Sequence, residues 1–263
     1  MSQIKRYLEQ INQQKRKALS VFLSAGFPDP DKFVTLARDI YAAGADLLEL
    51  GIPFSDPIAD GPVIQQSSQI ALENGITLQR VLQYCEQIKK DIQKPLILMG
   101  YSNPVLKYDV NQFIRDAKNC GVDGVIIPDI PLEEHDDFWG DGNQELDIIL
   151  LTTPTSSDDR IQAIDQKSTG FVYCVSMTGT TGVRDKFDGT AIENLNRTYK
   201  LIKKNKMLVG FGISTPKDIS RFSPHCDGVI TGSAIIKSLM DNKDKSYRST
   251  LDLVSNLSRA CNQ

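Results

Sequence analysis

Short apolar runs closed by Gly or Pro alternate along the whole chain with longer segments of helical periodicity. The runs lie at 19–25, 46–52, 96–101, 124–128, 148–152, 171–176, 208–212 and 228–232. Most are continuous rather than alternating, as expected for strands covered on both faces. Amphipathic segments at 30–43, 78–92, 110–119, 158–167, 191–204 and 216–222 read as helices. Pro30 and Pro216 stand where a first helical residue belongs, with Asp29 and Thr215 before them as N-caps. Eight strand–helix units in about 250 residues predict an α/β fold, the (β/α)8 TIM barrel. A doubly wound sheet is the structural alternative. Two further helices, 4–14 and 247–260, are expected to close the bottom or flank of the barrel. No low-complexity tract or long linker divides the chain, so 1–263 is read as one barrel domain.

In such barrels the chemistry sits on loops after the strand C-termini. The most unusual of these follows the second run, ELGIPFSDPIADGP from Glu49 to Pro62. Glu49 sits near the tip of an apolar strand, where a carboxylate is expensive unless it is paired or used. It is the first candidate for proton transfer. The competing reading is an ion-paired structural Glu. Asp56 and Asp60 follow in the turn-rich loop. The last two strands end in Gly210-Phe211-Gly212-Ile213-Ser214 and Thr231-Gly232-Ser233-Ala234. Glycines there, with a helix starting near Ser233, would aim free N–H groups at an anion, and phosphate is the usual ligand at that place. The Gly- and Thr-rich loop 177–184, which contains Thr181 and Gly182, reads as a closing lid that adds donors.

Composition narrows the function. The formal charge is −3, which gives no electrostatic case for nucleic acid or an anionic membrane. No apolar run approaches the length of a membrane span. Residues 1–17 carry polar residues throughout their length and lack the apolar core of a signal peptide. Five scattered cysteines without a CxxC pair suit a reducing compartment, with Cys174 as core packing. Neither His135 nor His225 has metal-ligand spacing, and both read as surface residues. No metal site is expected. There is no nucleophilic triad, no GxxxxGK[ST] and no full dinucleotide fingerprint, and no strand-end lysine for a Schiff base. What remains is acid–base chemistry on a phosphorylated small molecule.

The motif LELGIPFSDPIADGP, with GADLLELG, PDIPLEE, the GTTG of the 177–184 loop, GFGIS and TGSAI in that order, resembles the tryptophan synthase alpha subunit family over nearly the full length. The resemblance implies retro-aldol cleavage of indole-3-glycerol phosphate to indole and glyceraldehyde 3-phosphate, without cofactor or metal. It implies that Glu49 is the general acid/base and that Asp60 accepts a hydrogen bond from the indole N–H. Phe22, Ile64, Leu98, Tyr101, Ile127 and Phe211 would form the apolar slot, with Tyr173 lining or orienting it. Gly182, Gly212, Gly232 and Ser233 would hold the phosphate, and Thr181 would help order Asp60. Departures are small: Ser24-Ala25-Gly26 replaces a Thr-Gly pair.

The family also implies a partner, the pyridoxal-phosphate-dependent beta subunit of tryptophan synthase, in an αββα tetramer. The docking segments would be 53–62, 103–108 and 129–135. Two rival readings are a stand-alone indole-releasing lyase and a catalytically silent activator of the beta subunit. The expected compartment is the cytoplasm, or the plastid stroma for a plastid-encoded chain.

Overall fold

The computed structural model describes residues 2–140, 145–176, 189–210, 212–241 and 246–262. Its strands are β1 (Ala18–Ser24), β2 (Leu47–Gly51), β3 (Leu96–Met99), β4 (Gly124–Ile126), β5 (Asp147–Ile148), β6 (Leu150–Thr152), β7 (Phe171–Val175), β8 (Lys206–Gly210) and β9 (Gly228–Thr231). Its helices are α1 (Gln3–Gln13), α2 (Phe33–Ala42), α3 (Pro62–Glu73), α4 (Leu78–Lys89), α5 (Ser102–Tyr108), α6 (Val110–Asn119), α7 (His135–Trp139), α8 (Asp158–Lys167), α9 (Gly189–Leu201), α10 (Pro216–Phe222), α11 (Ser233–Asp241) and α12 (Arg248–Ala260).

All strand pairs are parallel, in the order β5-β4-β3-β2-β1-β9-β8-β7-β6. β5 and β6 are halves of the single run expected at 148–152. Ile149 between them still donates to Val125 O on β4 at 3.0 Å, while Leu150 pairs with Val172 on β7. The hydroxyls of Thr169 and Ser168 accept from Ile148 N at 2.7 Å and Leu150 N at 3.1 Å. The strand thus joins β4 at one end and β7 at the other, which closes the (β/α)8 TIM barrel. The doubly wound alternative fails here, because such a sheet keeps open edges.

Two apolar layers follow from the side-chain alternation of strands. Ala18, Leu47, Ile97, Ile126, Ile149, Phe171, Tyr173, Leu208 and Ile230 fill the barrel interior. Their sequence neighbours, such as Leu48, Leu98 and Val125, face outward into the core shared with the helices. Ile4, Leu8 and Ile11 of α1 belong to the interior cluster, so α1 plugs the barrel at the N-terminal ends of the strands. α12 packs on α10, α11 and α2 along the flank. No helix among the described residues is long and apolar enough to cross a membrane.

Local signals held where a capping interaction fixed them. Thr215 caps α10 in a reciprocal box with Asp218, with Pro216 in the first turn. At the other site α2 starts at Phe33 rather than Pro30. The Asp29 carboxylate accepts from Asp31 N at 3.1 Å and closes a turn instead. Segment 103–108, expected as loop, is most of α5. His135, expected at the surface, is buried at the start of α7, with Nδ1 3.1 Å from Asp136 Oδ1.

Because Leu8 is fully buried in the plug, Leu8→Ala should lower unfolding stability by about 2–5 kcal/mol. Urea denaturation measures it; a change under about 0.5 kcal/mol, the range of neutral surface substitutions, would show that α1 is not part of the core.

Candidate active site

The floor of the candidate site is set by β2. Leu48 and Leu50 face the helices, so Glu49 between them points into the barrel, where it is 0% exposed. In register it pairs with Phe22 on β1 and Ile97 on β3. Ser20 Oγ donates to Glu49 Oε1 at 2.7 Å. Glu49 Oε2 is buried and has no hydrogen-bond partner among the described residues. Burial pushes the Glu49 carboxyl up to about 7, with the Ser20 hydrogen bond opposing the rise.

Three aspartates at the opposite end of the barrel are each engaged by a cation. Asp46 accepts from Leu19 N and takes both terminal nitrogens of Arg16 at 3.0 Å. Asp123 accepts from Leu96 N at 2.9 Å and Lys89 Nζ at 3.0 Å. Asp227 accepts from Met207 N at 2.9 Å and from Lys206 Nζ at 3.4 Å. Each stands just before a strand and satisfies the start of its neighbour. Among the described residues Glu49 has no cation in that role. The ion-paired structural reading therefore fits the three aspartates and not Glu49.

Above Glu49, the loop from β2 to α3 carries Asp60. Tyr101, at the end of β3, fixes it: Tyr101 Oη donates to Asp60 Oδ2 at 2.9 Å and accepts from Ala59 N at 3.1 Å. Phe54 rests against the Tyr101 ring, with centroids 5.5 Å apart. Burial pushes Asp60 up to about 6, against the lowering effect of Tyr101. Tyr101 and Tyr173 are both held above the usual phenol range, by burial first and by these carboxylates next, so both remain neutral donors.

Glu49 and Asp60 line one pocket with Phe22, Gly61, Ile64, Met99, Tyr173, Gly212, Ile213, Ile230, Gly232 and Ser233. Tyr101 borders a smaller pocket that shares Phe22, Asp60, Ile64 and Met99 with it. Two glycines make the room. A Cβ on Gly210 would overlap the Tyr173 hydroxyl, and one on Gly51 would overlap the Phe22 ring. At the rim, Thr231 Oγ1 donates to Ile213 O at 2.8 Å, tying the end of β9 to the loop after β8. Gly232 and Ser233 then lead into α11, whose free N-terminal N–H groups suit an anion.

The sequence-based site set is largely gathered here: Phe22, Glu49, Asp60, Ile64, Tyr173, Gly212, Gly232 and Ser233 share the pocket, with Tyr101 at its edge. Leu98 does not join them. It lies opposite Leu50 and Val125 in the outward-facing core. A shift of one residue reverses the face, and Met99 takes the inner place. Ile127 lines an adjoining cavity of about 580 Å³ between the loops after β4 and β6. Thr181, Gly182 and Phe211 lie outside the described residues. Ser20, Gly61, Met99, Ile213 and Ile230 were missed. Ser20 had a legible signal, a hydroxyl at an inward position of an otherwise apolar strand. Among the described residues no group of three His, Cys, Asp or Glu is placed to hold a metal ion.

Comparison with known proteins gives one family. The family model described as tryptophan synthase alpha chain matches residues 8–262. The tryptophan synthase alpha chain of Geotalea uraniireducens is 40% identical over 252 residues, covering 95% of this chain and 94% of that one. That of Geobacter sulfurreducens is 42% identical over 238 residues, covering 90% of each. Among solved structures, a tryptophan synthase from M. tuberculosis superposes with a TM-score of 0.90 at 31% identity, covering 100% of this chain and 99% of that one. The alpha subunit from Legionella pneumophila superposes with a TM-score of 0.87 at 34% identity, covering 99% and 98%.

The burial of the Glu49 carboxyl has a thermodynamic signature. Its folded value of about 7 exceeds the ordinary 4.5. Below 4.5 both states are protonated and burial carries no ionic penalty. Between the two values the unfolded state ionises and the folded one does not, so the penalty grows there and levels off at about 3 kcal/mol above the folded value. Glu49→Gln should therefore be more stable than the parent by roughly that amount at about pH 8, and nearly equal to it at about pH 4. Chemical denaturation at the two pH values checks this; an equal difference at both would show that Glu49 is not buried uncompensated.

Proposed function

Because the chain belongs to the tryptophan synthase alpha chain family, lyases that cleave indole-3-glycerol phosphate, we propose that Glu49 and Asp60 divide the proton and charge work of that cleavage between them. Protonated Glu49 gives its proton to indole C3, which makes the ring an indolenine-like cation. Asp60, ionised, accepts the indole N–H hydrogen bond and stabilises that cation. Glu49, now a carboxylate, takes the proton of the adjacent glycerol hydroxyl as the carbon–carbon bond breaks. The bond's electron pair returns to the ring and neutralises it. Indole and glyceraldehyde 3-phosphate leave, and Glu49 is protonated again.

The observation that carries this assignment is the unpaired Oε2 of a fully buried Glu49 sharing a pocket with Asp60. The two environments support that division of roles, since burial raises Glu49 further than Asp60. Asp60 is set near 6 and Glu49 near 7, so one is ionised while the other still holds its proton. The apolar walls Phe22, Ile64, Met99 and Ile230 suit the flat ring, and Tyr101 holds Asp60 in place. Gly212, Gly232 and Ser233, at the start of α11, suit the phosphate. No cofactor enters these steps; pyridoxal phosphate belongs to the beta subunit's reaction.

We also assign the mouth of the barrel to the beta subunit, in the αββα arrangement. Ile58, 77% exposed, and Leu106, 55% exposed, are the large apolar side chains left in solvent among the described residues. They fall in two of the three segments that the family resemblance marks for docking, 53–62 and 103–108. Exposed apolar side chains concentrated on one face favour a partner there.

Glu49→Gln should lower kcat by about 10²–10⁴-fold or more while leaving substrate affinity near that of the parent, since Gln keeps the shape and loses the proton. The parent's kcat/KM should show a bell with limbs near 6 and 7. Activity within about tenfold of the parent, less than general acid–base catalysis contributes, would remove Glu49 from the reaction. Ile58→Asp with Leu106→Asp should weaken beta-subunit binding by about tenfold or more, a loss of about 1.4 kcal/mol, read by titration calorimetry. Unchanged affinity would put the interface elsewhere.

A further inference from the structure

Ser20 interrupts the apolar run of β1 at an inward position between Ala18 and Phe22. It is 0% exposed, and its hydroxyl is 2.7 Å from Glu49 Oε1. A serine in a barrel interior gives up packing that a valine or isoleucine would supply. What it adds is a rotatable donor on one oxygen of the carboxyl. Among the described residues two other ionisable groups face Glu49: Tyr173 from β7, a neutral phenol, and Asp60 from the loop after β2, an anion that does not stabilise a second one. The remaining lining from β1, β3 and β9 is Phe22, Met99 and Ile230, all uncharged.

Resting on the reading of Glu49 as acid/base, we propose that Ser20 is a positioning residue that assigns the two oxygens of Glu49 separate jobs. Ser20 engages a lone pair of Oε1, so the transferable proton resides on Oε2, the oxygen without a partner among the described residues. The same Oε2–H then protonates the ring carbon, and the same Oε2 receives the hydroxyl proton. Oε1 keeps its hydrogen bond in both states, because a serine hydroxyl rotates to suit its partner. The terminal torsion of a glutamate is broad, so without that bond the carboxyl is free to rock and to protonate at either oxygen. Misplacement on that scale is costly to proton transfer.

The test compares Ser20→Ala, Ser20→Thr and Glu49→Gln, each purified with its beta subunit and assayed for indole-3-glycerol phosphate cleavage across pH. Ser20→Ala should lower kcat by about tenfold with KM changed less than about twofold. Its alkaline limb should move up by about one pH unit, because the carboxylate loses a donor. Ser20→Thr, which keeps the hydroxyl, should restore the limb. In the Glu49→Gln background Ser20→Ala should add little. If Ser20→Ala keeps the parent's kcat and alkaline limb while Glu49→Gln is inactive, the proposal for Ser20 fails and the role of Glu49 stands. If Glu49→Gln remains active, the reading of Glu49 itself fails. If Ser20→Ala loses activity with no shift of the limb, Ser20 is packing only and the proposal is overturned.

Discussion

An uncompensated carboxyl held inside an apolar barrel is the constraint on which the site depends. Desolvation moves Glu49 from 4.5 to about 7, and little in its surroundings counters it. A closed barrel plugged at one end gives a side chain on a strand such isolation. The closure at Ile149, the plug of Ile4 and Leu8 below, and the inward parity of β2 all act on that one group. Gly51 and Gly210 matter for the same reason, since side chains there would displace the Phe22 and Tyr173 rings that wall it in.

The barrel thus partners its carboxylates differently along its axis. At the N-terminal ends of the strands, Asp46, Asp123 and Asp227 are neutralised by Arg or Lys and by strand N–H groups. At the C-terminal ends, Asp60 has a tyrosine hydroxyl and Glu49 a serine hydroxyl, neither of them a charge. A neutral donor steadies a carboxylate without fixing its protonation state. A cation would hold it ionised and unable to act as an acid. The two ends use the same residue types and differ in what faces them.

Much of this was legible in the sequence, and the failures have physical causes. The strands were readable because burial on both faces makes them continuous apolar runs. That same continuity hides which face each residue takes, and so Leu98 was expected in the slot that Met99 occupies. Glu49 stood out because a carboxylate in an apolar run costs free energy unless it is paired or used. Ser20 is quiet because a small hydroxyl is tolerated in many cores, and its meaning depends on a partner 29 positions away. Asp29 and Thr215 looked alike as caps; only Thr215 meets an Asp three residues on, which makes the box. His135 was expected at the surface because a lone histidine without metal-ligand spacing carries little information, and it is buried at the start of α7.

The central claim is that Glu49 holds its proton near neutral pH because it is buried without a charged partner. Isotope-edited infrared difference spectroscopy of the carboxyl band, with Glu49→Gln as the subtraction control, measures that proton directly. A protonated carboxyl that titrates near 7 is the expected result. A band already ionised at pH 5, within the ordinary carboxylate range of about 4 to 5, would contradict it.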